Sequence, residues 1–226
     1  MVDLNMEGMS LPAIFDKARR IHISASDASV DQDAVKKACG LLRKCEEMIG
    51  KLGLFSRNET NDEISTSSLK YILVPYYLGE FIEKTTAEDR IEILKASQAK
   101  LKEFVSFCGT MELVPDDELE SSVQSTNGST FADIRAKKIA RFKRQKAAES
   151  KLLEIKEQKE RRGRSTRASA LSTPVEAGED NLEDDDGEEE REAWLTTISL
   201  AICKALDLLE MLKKEEVMLS AIRDKQ

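Results

Sequence analysis

The run Ile134-Arg135-Ala136-Lys137-Lys138-Ile139-Ala140-Arg141-Phe142-Lys143-Arg144-Gln145-Lys146 is the most chemically pointed stretch of the chain. On a helix advancing ~100° per residue, Arg135, Lys138, Ile139 and Phe142 fall within about one third of the circumference. Cations then flank one aromatic and one aliphatic side chain. The chemistry this suits is noncovalent: an apolar centre excludes water, and the charges around it select and orient carboxylates on a partner. Two other uses of the same residues stay open. The helix could be a solvated one whose Lys and Arg stems cover its own core, or it could pair with the acidic run Glu176–Glu192 and be masked by it. Nucleic acid is disfavoured, because a single aromatic is interleaved among the cations and the whole chain carries a net charge of -8.

Bond-making chemistry finds little support. His22 is the only histidine, so any Ser-His or Cys-His pair would have to use it and a multi-histidine metal site is impossible. On its helix it reads as a surface or half-buried side chain. Gly50-Lys51-Leu52-Gly53 is a helix-exit pair rather than a phosphate loop. The acidic run lacks the alternating ligands and central glycine of an EF-hand. No enzyme, cofactor or metal is expected. A regulatory hint lies past the basic run: Ser165 and Ser169 follow arginines, and Thr173 precedes Pro174. Phosphates at Ser165, Ser169 and Thr173 would lower the local positive charge and weaken a contact made by the basic helix.

These residues must be positioned by a frame, and the composition says what kind. Of 226 residues, 35% are charged and 5% aromatic, with four prolines and ten glycines; charge-coated helices fit this better than a β-sandwich. A first helix is expected after the N-cap Ser10, with Leu11, Ile14, Phe15, Ala18 and Ile21 as its stripe. A second follows Asp31 and ends at Gly50 or Gly53, and 54–64 reads as a loop. The segment from Tyr71 to Leu78 has strand-like composition, but its length and the caps Ser65–Ser68 favour a helix to about Lys84, bent near Pro75. A Thr86/Asp89 capping box would open the fourth, carrying Ile91, Leu94, Leu101, Val105 and Cys108. Between Asp133 and Arg167 fourteen Lys/Arg face five Asp/Glu, whereas Glu176–Glu192 holds eleven acids and one Arg. The last helix has the stripe Trp194, Leu195, Ile198, Ile202, Ala205, Leu208, Leu209 and Leu212, which must dock on something.

The expected fold is therefore all-α, an irregular antiparallel helical array. Its parts are a helical domain at 1–162 that includes a basic helix at 133–162, a flexible, disordered acidic linker at 163–189, and a C-terminal helix at 190–226 packing back on the array. Cys39, Cys45, Cys108 and Cys203 read as small core hydrophobes. No stretch has the ~18 apolar residues of a membrane helix, and the N-terminus lacks the pattern of a signal peptide. The expectation is a cytoplasmic monomer, with the nucleus as a second address.

Two blocks carry a family resemblance. Leu52-Gly53-Leu54-Phe55-Ser56-Arg57-Asn58-Glu59 with Ile64-Ser65-Thr66 and Leu69-Lys70-Tyr71-Ile72-Leu73-Val74-Pro75 form the first; Arg135-x-x-Lys138-Ile139-x-Arg141-Phe142-Lys143 is the second. Together they resemble the alpha-four family, the type 2A phosphatase-associated proteins of TOR signalling. The likeness covers most of 10–225, and the acidic linker and the Ala-Leu-Ser-Thr-Pro tract are most similar to plant members. It implies a tetratricopeptide-like domain that binds catalytic subunits of type 2A and related phosphatases directly, holds them stable and largely inactive, and acts downstream of TOR kinase. Two cations spaced three apart are that family's contact residues, and they match Arg135 and Lys138. Family members continue into a longer C-terminal region, so a chain ending at Gln226 is expected to be truncated. The competing expectation is a peptide-binding adaptor using the groove of the first four helices, with the basic helix merely packed on the domain; Tyr71, Tyr76 and Tyr77 are candidates to line that groove, although core packing is the favoured reading of those rings.

Overall fold

A computed structural model describes residues 8–25, 31–56, 59–115, 118, 130–172 and 183–225. Its helices are α1 (Leu11–Ala25), α2 (Gln32–Leu52), the single turn α3 (Thr66–Leu69), α4 (Val74–Glu83), α5 (Arg90–Thr110), α6 (Phe131–Ser172) and α7 (Glu183–Arg223), with 3-10 turns at Asn61–Glu63 and Lys70–Leu73. There is no strand among the described residues. Packing follows chain order from α1 to α5, except that α2 meets α4; α7 then returns to lie on α5 while also pairing with α6.

Local chemistry explains most of the boundaries. The amide of Ile14 donates to the carbonyl of Ser10 at 3.0 Å, so α1 starts at the expected residue. Asp31 is extended (φ -60, ψ 128) and its carboxylate accepts from the Asp33 amide at the head of α2. Of the two glycines offered as its end, Gly53 is the stop: it sits at φ 58, ψ 40, a left-handed conformation that costs a residue without Cβ little. For α5 the cap is Asp89 alone, which accepts from the Ile91 and Glu92 amides at 3.0 and 3.2 Å. Thr86 instead donates its amide to Gln32 Oε1, while Gln32 Nε2 donates to the Lys84 carbonyl. One side chain at the start of α2 thus satisfies both the end of α4 and the loop after it.

The expected bend at Pro75 takes another form. The chain runs through α3 and a 3-10 turn before α4 begins at Val74, which puts Pro75 in the first turn. There its missing N–H costs nothing and its fixed φ suits the helix. Phe15 is wholly buried and ties the array together, its ring 5.3 Å from Tyr71, 6.2 Å from Tyr77 and 6.5 Å from Trp194. Those partners lie on the 3-10 turn, α4 and α7. Burying such a ring contributes about 1.5–3 kcal/mol. The α4–α5 crossing is close: a Cβ on Gly79 would meet Leu101 side-chain carbons at 2.9 Å, and Ser97 Oγ donates to the Gly79 carbonyl at 2.8 Å.

The stripe of α7 docks here. Ile198, Ile202, Ala205 and Leu212 are buried, with Trp194, Leu195, Leu208 and Leu209 partly so. The Arg191 guanidinium, the one cation among the acids, donates to the carbonyls of Ile64 and Asn61 at 2.8 and 2.6 Å and fastens the helix to the loop beneath it. Cys39, Cys45, Cys108 and Cys203 are free and buried; burial, with a smaller contribution from Glu46, pushes the Cys45 thiol up to about 12. The helical backbone of α6 continues past residue 163 to Ser172 and α7 starts at Glu183, while 173–182 lie outside the described residues.

Candidate protein interface

The basic helix α6 opens with a reciprocal cap. The Thr130 amide and hydroxyl both donate to Asp133 Oδ2, and the Asp133 amide donates back to Thr130 Oγ1. Those hydrogen bonds hold the Asp133 carboxyl below its usual range.

From there the helix has two chemically distinct faces. Arg141, Arg144 and Ala148 turn toward the frame. Arg141 is 5% exposed and makes a bidentate pair with Glu118, Nε to Oε1 at 3.0 Å and Nη2 to Oε2 at 2.7 Å. Its Nη1 donates to Asp207 Oδ1 at 2.7 Å and to Glu210 Oε1 at 2.8 Å on α7. Arg144 also donates to Glu118, whose own side chain is almost wholly buried. Burial works against the charge of Arg141, but the three carboxylates more than offset it and raise its pKa further. Burial likewise pushes Glu210 upward, and the bonds from Lys138 and Arg141 outweigh that and leave its carboxyl below the ordinary value.

The opposite face carries Arg135, Lys138, Ile139 and Phe142 together, as their spacing requires. Phe131 is 94% exposed, Phe142 59% and Ile139 46%. With Ile134, Arg135, Lys138 and Lys143 they line an open groove of about 500 Å³. Arg135 is exposed and has no hydrogen-bond or ion-pair partner among the described residues. Lys138 is half exposed and its Nζ lies 2.9 Å from Glu210 Oε2. The Lys146 ammonium sits 5.8 Å from the centre of the Phe142 ring, capping the patch with a cation–π contact. Pairing with the acidic run is seen farther along α6, from Lys151 to Glu192 and from Arg162 to Glu189, while on the outward face Lys138 is half engaged and Arg135 has no partner among the described residues.

Some of this was hidden in the sequence. Phe131, Ile134 and Lys143 also belong to the patch, and the ~100° step does put Phe131 beside Arg135. Arg141, one of many cations in the run Ile134–Lys146, is the buried fastening. Its partner Glu118 is 23 residues away, and no local pattern marks it.

The other candidates fall elsewhere. Tyr71, Tyr76 and Tyr77 do not line a groove: they are 6%, 3% and 6% exposed and belong to the core, because their rings pack against Phe15, Phe104 and His22. His22 is half-buried, hydrogen-bonded through Nε2 to Glu80 Oε2, and Glu80 Oε1 accepts from the Tyr76 hydroxyl at 2.8 Å. Burial alone would raise Glu80; the His22 and Tyr76 bonds outweigh it and hold the carboxyl below its usual range. Ser165 and Ser169 fall within the helical backbone of α6, and Thr173 lies outside the described residues. Among the described residues no group of three His, Cys, Asp or Glu side chains is placed to hold a metal, and no helix is long and apolar enough to cross a membrane.

Comparison with known proteins agrees with the resemblance. The chain is 69% identical over 226 residues to "PP2A regulatory subunit TAP46" of Nicotiana tabacum and 68% identical to the protein of that name from Arabidopsis thaliana, in each case with 100% of this chain covering 56% of the relative. The chain thus spans about half the length of these curated relatives. Among solved structures, "The Structure of Tap42 Alpha4 Subunit" has the same fold, with a TM-score of 0.66 at 22% identity, covering 92% of this chain and 98% of that one. The TAP42-like sequence pattern extends over residues 11–226, and the chain belongs to the TAP42-like family.

Proposed function

We propose that the chain is a noncatalytic regulator that binds and stabilises the catalytic subunits of type 2A and related serine/threonine phosphatases, downstream of TOR kinase, as a cytoplasmic monomer that also has access to the nucleus. The observation that carries this reading is the outward face of α6. Arg135, a cation without a partner among the described residues, stands beside Phe131, Ile139 and Phe142, which are exposed to water instead of being used in the core. Exposed apolar side chains rimmed by cations are what an acidic, partly apolar partner surface would cover. Family membership and the names of the relatives, as regulatory subunits of PP2A, support a type 2A phosphatase as that partner. In this reading Arg135 and Lys138 make charge-assisted hydrogen bonds to carboxylates of the catalytic subunit, and Ile139 and Phe142 fill the dry centre between them. Phosphates on Ser165, Ser169 or Thr173, near the far end of α6, would reduce its positive field.

The decisive variant is Arg135→Glu with Lys138→Asp. Neither residue supports the core, so helical circular dichroism should match the parent chain. Losing an interfacial charge pair costs about 2–5 kcal/mol, enough to abolish pull-down of the catalytic subunit. Retained pull-down by a folded double variant would remove α6 from the interface. Point substitution is a cleaner test than deleting the helix, which would leave Glu118, Asp207 and Glu210 without Arg141.

A further inference from the structure

We infer that Glu210 on α7 is an internal competitor for Lys138, so that the free chain presents one of its two contact cations partly neutralised and releases it only to a partner able to displace that carboxylate. The inference rests on the proposed phosphatase interface and concerns how that interface is gated.

The geometry of the charge cluster supports it. Three cations of α6 that turn toward the frame or its edge, Lys138, Arg141 and Arg144, face three carboxylates, Glu118, Asp207 and Glu210. Glu210 divides its two oxygens: Oε1 accepts from Arg141 at 2.8 Å, and Oε2 lies 2.9 Å from Lys138. Arg141 does not depend on Glu210, because Glu118 binds it with two hydrogen bonds and Asp207 with a third. Glu210, in turn, keeps Arg141 when Lys138 leaves. Release therefore strands neither charge, and the cost of an unpaired buried ion is avoided. The side chains of Lys138 and Glu210 are 46% and 38% exposed, so the pair is in reach of a partner and weak enough to exchange.

The consequence is selectivity. An acidic surface that merely approaches α6 meets the full charge of Arg135 and only a fraction of that of Lys138. A partner that also covers Ile139 and Phe142 excludes water and can compete with Glu210 for the ammonium. Non-cognate acidic proteins are thus disfavoured without weakening the cognate contact to the same degree.

The test is Glu210→Gln in the full chain, titrated against purified type 2A phosphatase catalytic subunit at low and moderate salt. Glutamine keeps the shape and a neutral acceptor for Arg141 but drops the charge that holds Lys138. Binding should tighten about two- to fivefold, the range expected for freeing one exposed charge, with a steeper salt dependence. The gain should vanish when Lys138→Met is added. Asp207→Asn is the matched control, since it removes a carboxylate from Arg141 without touching Lys138 and should leave affinity unchanged. If Glu210→Gln binds no tighter than the parent, or if Asp207→Asn tightens binding equally, Glu210 is not a competitor. Should the parent chain itself fail to bind, the interface reading is what has failed, and the gating inference falls with it.

Discussion

The array of α1 to α5, with α7 docked on it, and the basic helix α6 are both helical, yet opposite forces hold them. In the array, rings and aliphatic chains face inward: Phe15, Phe81, Phe104, Leu41, Leu42 and Leu94 are at most 1% exposed. Among the described side chains of α6, the only buried ones are Arg141 and Ala148. Its aromatic and branched residues Phe131, Ile139 and Phe142 look outward instead. The usual amphipathic arrangement is inverted, with charge inside and apolar surface outside. A helix docked by ion pairs keeps its apolar side chains for something else. Such an exposed stripe on α6 is what the proposed partner would cover, whereas the array closes its own core once the α7 stripe lies on it.

That contrast can be broken in three places. The largest effect is expected for Phe15→Ala, which empties a site where four elements meet. Loss of a fully buried ring costs about 3–5 kcal/mol, and urea denaturation should show a fall near the top of that range. A loss below about 2 kcal/mol would mean that the cluster can collapse onto the gap and that packing there is less exacting than described. Next comes Arg141→Met, which leaves the buried Glu118 with Arg144 as its remaining partner among the described residues. Breaking a buried pair in this way costs about 3–5 kcal/mol, and the remaining Arg144 contact argues for the lower end. Hydrogen exchange should accelerate along α6 and leave α2, α4 and α5 protected. Uniform acceleration would show that α6 and the array unfold as one unit. The smallest effect belongs to Lys151→Ala, which removes a pair to Glu192 at 2.6 Å between side chains about half exposed. Such surface pairs contribute about 0–1 kcal/mol. The difference from the parent should disappear at about 1 M salt, where charges more than ~3 Å apart are screened; a larger or salt-insensitive loss would assign Lys151 a packing role.

Much of the frame was legible because it is written in local chemistry. Ser10, Asp31, Gly53 and Asp89 mark helix ends through hydrogen bonds or dihedral angles that involve residues one to four positions away. The stripes of α1 and α7 follow from period alone. A misleading signal is local too: Pro75 has the sequence context of a bend within one helix, but the preceding segment is a 3-10 turn and the proline sits at a helix start. The tyrosines at 71, 76 and 77 read as core before groove, and the packing of Phe15, Phe104 and His22 against them places them in the core.

The amino-acid order by itself determined that the chain is helical, where most of its helices start, and that one helix carries Arg135, Lys138, Ile139 and Phe142 on a common face, since helix period and capping act over a few residues. Which way that face points was decided by the tertiary structure alone. A helix with cations on every side has no preferred inward face until carboxylates distant in the chain choose one. Glu118, Asp207 and Glu210, lying 23, 66 and 69 residues from Arg141, take that arginine inward and leave Arg135 in water.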